Sequence, residues 1–177
     1  MTAENGTHKV PLHPIQATTN TAAQLTEDTS NANHLHMSDI IYPRSPRETM
    51  DGWMHLPRYL DKIRLQLAGK LHPDYRDNFG KGFDEIWLQA AGVTPEQMIA
   101  VVRNSVTDGE VCDWVRRNVK KSAAEKAAHA RSMLDYPKAD DVAMQARLKM
   151  RKEQAGVAHR DDIRTFVDII DVDEKRL

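Results

Sequence analysis

The sequence predicts an all-α protein, a compact bundle of six or seven short helices over residues 39–177 behind a disordered polar N-terminal arm over residues 1–38. Apolar residues beyond position 39 recur at spacings of three and four, the period of a helix with one buried face. Helix-start patterns of the Thr/Ser-x-x-Gln/Glu kind stand before these runs. No two alternating runs are available to pair as a sheet. The arm is rich in Thr, Asn, Ala and Gln, with only Glu4, Lys9, Glu27 and Asp28 charged, and its large apolar residues show no sustained period. Such a composition buries too little surface to offset the entropy of ordering the chain.

The first ordered segment, Tyr42-Pro43-Arg44-Ser45-Pro46-Arg47, is a proline loop, because each proline biases its predecessor toward an extended backbone. Trp53, Leu56, Leu60, Ile63, Leu67 and Leu71 then predict an amphipathic helix of about two dozen residues, with Pro57 in its first turn placing the start of the helix proper near Leu56, and with Gly69 and His72-Pro73 closing it. A glycine-bearing loop, Phe79 to Phe83, leads to a short helix with Ile86, Trp87 and Ala90 inward, ending at Gly92. Thr94-Pro95-Glu96-Gln97 starts the next helix, with Met98, Val101 and Val102 as its stripe, and Asp108 is read as the cap of another, with Val111, Trp114, Val115 and Val119 inward. Ser122 to Glu125 opens an alanine-rich helix that Tyr136-Pro137 breaks. Residues 139–154 alternate like a strand, but their Ala, Met, Gln, Leu, Lys and Arg content predicts helix. In the last helix, Ile163, Phe166, Val167 and Ile170 form the stripe, with Asp161 and Asp162 suited to its positive end.

Composition narrows function by exclusion. A formal net charge of −1 gives no global attraction for nucleic acid or anionic membrane. The lone Cys112 excludes an internal disulfide and fits a reducing cytoplasm. Neither a secretory leader nor an apolar run of membrane-spanning length is present, so a cytoplasmic location is expected. The basic run Arg116 to Lys121 lacks interleaved aromatics and reads as a solvated helix end.

The chemically informative feature is the charge on the first helix. Arg58 and Lys62 flank one side of its apolar stripe, and Asp61 and Arg64 flank the other. Charges that close to a core need partners. One reading is an ion-pair ladder, Arg58–Asp61 and Asp61–Arg64, at i, i+3. The other is a pocket for a small anionic metabolite, with Arg44, Arg47, Arg58, Asp61, Lys62, Arg64, Lys70, Tyr75 and Asp84 as ligand-binding residues. His55 and His72 bracket the helix and are the candidate acid–base groups of a cofactor-independent lyase, cyclase or isomerase. Gly80-Lys81-Gly82 precedes a helix but falls short of a phosphate-binding motif, and Asp84 and Glu85 occupy its start. No metal site or cofactor is expected, because the histidines have no zinc-type spacing and DIIDVDE lacks a calcium loop's length and central glycine. The acids Asp161, Asp168 and Asp171, with Thr165, share a flank of the last helix and are expected to face the arginines of the first.

Four motifs carry a family resemblance: Tyr42 to Glu48 (YPRSPRE), Leu56 to Leu71, Asp74 to Asp84, and Arg160 to Glu174. Residues 40–177 resemble an uncharacterised bacterial domain-of-unknown-function family. Arg76 and Lys175 stand where relatives often carry His and Gly. The resemblance implies a small helical domain and supplies no catalytic residues. Two functions therefore compete: an anion-binding protein, with or without enzymatic activity, and a non-enzymatic interaction module built on an ion-pair lattice. In the second, the N-terminal arm docks a protein partner or a second copy. Nucleic acid ranks third.

Overall fold

A computed structural model describes residues 40–177, so the arm expected over residues 1–38 lies outside the described residues. The elements run β1 (Thr49–Met50), β2 (Trp53–Met54), α1 (Leu56–Leu67), α2 (Pro73–Arg76), α3 (Phe83–Ala91), α4 (Pro95–Arg103), α5 (Asp108–Asn118), α6 (Ala123–Leu134), α7 (Val142–Gln154) and α8 (Phe166–Asp173). The class is all-α, with eight helices among the described residues against the six or seven expected. The one-turn α2, held between His72-Pro73 and the glycine loop, is an element the periodicity could not register.

The first helix is shorter than its apolar stripe. Trp53 belongs to an antiparallel hairpin in which Thr49 pairs with Met54 and Met50 with Trp53. The turn is Asp51-Gly52, both with positive φ, the two-residue geometry whose twist matches a hairpin. Its signal, Asp-Gly between apolar residues, is present in the sequence but concealed by a helical stripe running through it. Pro57 lies in the first turn of α1, as expected. At the far end Gly69 takes φ +67°, and Lys70 N–H donates to Leu65 O, so the helix ends at Leu67, four residues before Leu71.

Two caps differ from expectation. Thr107, not Asp108, caps α5: its hydroxyl accepts from Glu110 N–H while the Glu110 carboxylate receives Thr107 N–H, a reciprocal box. Asp108 is thereby released for a different role. The last helix begins after Thr165, which pairs in the same way with Asp168, so Asp161 and Asp162 precede it by a turn. Ile163 is buried ahead of α8, whose inner face is Val167, Asp168, Ile169 and Asp171, with Ile170 half-buried. The starts at Thr94 and Ser122 and the helical state of Val142–Gln154 are as expected.

The main core joins Trp53, Leu56, Tyr59, Leu60 and Ile63 to Trp87 and Leu88 of α3, Met98 and Val102 of α4, and Val111 and Val115 of α5. A smaller cluster of Leu148, Ile163 and Ile169 seats α7 against α8. Every residue from Trp53 to Leu60 is buried, so the charged side chains of this stretch start from inside the protein.

Candidate functional site

Arg58 and Lys62, on the flank of α1 nearest the core, are 4% and 5% exposed, low enough that their charges must be met by protein groups. Arg58 makes a two-pronged pair with Glu174, Nη1 to Oε2 at 2.9 Å and Nη2 to Oε1 at 2.6 Å, and Nη1 also donates to Arg44 O at 2.8 Å. Tyr75 donates its hydroxyl to Glu174 Oε1 at 2.6 Å, and its ring lies under the guanidinium. Arg176 joins Glu174 from the other side and donates to Pro43 O. Burial opposes the charge on Arg58, but the Glu174 carboxylate outweighs it and holds the guanidinium above its ordinary value. Burial likewise pushes the Glu174 carboxyl up, yet Arg58 and Tyr75 hold it below the usual range.

Lys62 bonds to Asp84 and donates to Asn78 O at 3.2 Å. The other Asp84 oxygen lies 2.8 Å from His55 Nε2, and Gly80 N–H donates to Asp84 Oδ2 at 2.9 Å. The glycine loop is thus a structural turn, with a backbone donor directed at a side chain of its own helix. Burial lowers Lys62 and His55 from their ordinary values despite the attraction of Asp84. Asp84 is pushed up by burial but held low by His55 and Lys62, so it remains a carboxylate. A carboxylate only accepts, which assigns the imidazole proton to Nε2 and leaves a lone pair on Nδ1. That Nδ1 is buried without a partner among the described residues, and His55 sits at φ +73°, a conformation costly for a residue with a side chain.

On the outer flank of α1, Asp61 takes Arg44 through Nε at 2.8 Å, Nη2 at 2.7 Å and the Arg44 backbone N–H at 2.9 Å. Asp108, freed from capping, bridges Arg44 Nη1 at 2.7 Å and Arg64. Asp168 and Asp171 both bond Arg47, and Asp171 also accepts from Ser45 Oγ.

The nominated residues are brought together in four clusters, Arg47 standing with the α8 acids, with two exceptions. Lys70 is exposed and makes no side-chain bond among the described residues, and His72 is spent on Asp74, its Nδ1 accepting from the Asp74 backbone N–H. The expected pairs Arg58–Asp61 and Asp61–Arg64 do not form. Asp61 is turned to the proline loop, and the two arginines reach Glu174 and Asp108. The expected match of the α8 acids with the α1 arginines also needs correcting: Asp168 and Asp171 serve Arg47 of the loop, and Asp161 offers only its backbone carbonyl, to Arg164.

Sequence reasoning missed Glu174, Asp108, Arg176 and His129. Glu174 closes the Arg160 to Glu174 motif, but only the tertiary fold returns the C-terminus to α1. His129 is buried with neither ring nitrogen partnered among the described residues, and it stacks edge-on to Trp53 at 5.3 Å. Burial and nearby His55 push it down to about 4. Among the described residues no group of three or more His, Cys, Asp or Glu is placed to hold a metal ion, and no helix is long and apolar enough to cross a membrane.

Fold and site together define a small all-α domain whose interior is organised by paired charges. The chain belongs to the family described as a domain of unknown function (DUF5069), whose model matches residues 40–176. No curated protein matches it.

Proposed function

We propose that this domain is a non-enzymatic interaction module, cytoplasmic, in which the charged residues of α1 form a structural lattice rather than a receptor for anions. One observation carries the reading: Arg44, Arg47, Arg58, Lys62 and Arg64 each already bond a carboxylate. An incoming phosphate or carboxylate would have to displace an internal partner that is covalently delivered to the site. The module then acts through its outer surface, where Val106 and Val142 are 88% and 78% exposed.

The test is a cycle on the most buried pair. Removing one member of a buried ion pair costs about 3–5 kcal/mol. At roughly 2–4 °C per kcal/mol, Arg58→Met or Glu174→Gln should lower Tm by on the order of 10 °C. Arg58→Met with Glu174→Leu should recover much of that loss. If instead Arg58→Met folds with wild-type stability and abolishes a Tm increase given by inorganic phosphate or citrate, the anion-receptor reading replaces this one.

A second reading rests on the unpartnered Nδ1 of His55. A buried imidazole oriented by Asp84, with Lys62 balancing the carboxylate, has the make-up of an acid–base group for a cofactor-independent lyase or isomerase. His55 is 2% exposed, so a substrate would reach it only after the β2–α1 corner opens. Ethoxycarbonylation of His55 Nδ1 by diethyl pyrocarbonate, measured by mass spectrometry on the native chain, tests access. Modification only on unfolding would return His55 to the lattice.

A further inference from the structure

A cavity of about 390 Å³, within the size range of small-ligand sites, lies between α7 and the segment leading into α8. None of the residues nominated from the sequence lines it. Its floor is apolar, from Leu148 and Ile163, and its rim carries Lys149, Lys152 and Arg164 with the amide of Gln145 and the single carboxylate of Glu153. The three cations differ from those of the α1 lattice, because among the described residues none of them forms an ion pair. Lys152 Nζ donates to the Arg160 carbonyl at 2.7 Å, and Arg164 Nε donates to the Asp161 carbonyl at 2.9 Å. Neutral carbonyls fix the two heads in place without cancelling their charge, and each head keeps further donors.

We infer that this cavity binds a small phosphate monoester, with the phosphate on Lys149, Lys152 and Arg164 and an apolar body on Leu148 and Ile163. Among the lining residues three positive groups stand against one carboxylate, which suits a dianion, and a planar guanidinium beside two ammonium groups offers both forked and point-charge contacts to its oxygens. The ground the cavity occupies is separate from the α1 lattice, so this inference stands apart from the function proposed above.

Phenyl phosphate titrated into the full chain at constant ionic strength, followed by thermal shift and by NMR chemical shifts, is the test. Tm should rise with phenyl phosphate concentration, as expected for a ligand bound only by the folded state. Inorganic phosphate should bind more weakly for want of the apolar contact, and benzoate more weakly for want of the second charge. Arg164→Gln or Lys152→Gln should weaken phenyl phosphate about tenfold, the loss of one charge-assisted bond. Glu153→Gln should strengthen it. Lys149→Gln, at an exposed position, provides the same reading should either of the first two variants fold poorly. Equal shifts in wild type and variants, or no saturable shift in wild type, would overturn the inference. Loss of the response in Arg58→Met but not in Arg164→Gln would place the anion at α1 instead, which overturns this site and the lattice reading together.

Discussion

His129 is a histidine buried beside an indole ring with nothing among the described residues to donate to or accept from, and that sets a specific pH dependence. In the unfolded chain it takes up a proton near the ordinary value of about 6.5. In the fold it does so only at about 4. Between those values the unfolded state holds the extra proton, so stability is fully present above pH 6.5 and is lost as pH falls toward 4. The largest loss this shift permits is about 3 kcal/mol. His129→Leu should flatten that part of the profile in denaturant melts at pH 7, 6, 5 and 4. His55 is displaced in the same direction and leaves a residual slope. An unchanged profile would mean that the imidazole is protonated within the fold. Glu174, Asp84 and Asp108 act lower on the scale. Their folded values lie below the ordinary carboxylate range of about 4, so their contribution is present above it and disappears under stronger acid.

Helix ends give predictions of a different kind, because a cap acts on the element as a unit. The C-terminus of α8 closes with Lys175 N–H donating to Val172 O and Arg176 N–H to Asp171 O, the paired bonds of a left-handed turn, and Lys175 sits at φ +58°. A lysine pays a steric cost there that glycine does not. Lys175→Gly should raise stability by about 1 kcal/mol, read as a Tm increase of a few degrees. The turn also directs Arg176 back to Glu174 and Pro43, so Lys175→Pro should both shorten the helix and loosen the Arg58 pair. At the start of α5, Thr107→Ala should cost about 1 kcal/mol through the lost cap alone. A much larger loss would mean that the cap also positions Asp108 between Arg44 and Arg64. These starts were legible in advance wherever one side-chain oxygen faces the residue three positions on, as at Thr94 and Ser122. Thr107 and Thr165 carry the same pattern, but an adjacent aspartate or aspartate pair competed for the role. Nothing local distinguishes which oxygen turns back.

Across the whole molecule, the lattice fastens the two ends of the domain to its middle. The proline loop is tied to α1 through Arg44 and to α8 through Arg47, and α8 is tied to α1 through Glu174. Deleting residues 174–177 should therefore lower the Tm of the entire domain in one cooperative step. Separate melting of α7 and α8, seen as a second calorimetric transition, would show that the small Leu148 cluster folds on its own. By itself the sequence determined that the chain would be helical, where most helices begin and end, and that the charges crowding α1 required partners. Helical period and capping act within a few residues, and a buried charge demands compensation wherever it occurs. Only the tertiary structure decided which carboxylate answers which cation. Arg58 and Glu174 stand 116 positions apart, and Arg47 and Asp171 stand 124 apart. An ion pair depends on distance in space and on burial, and neither is written into sequence separation.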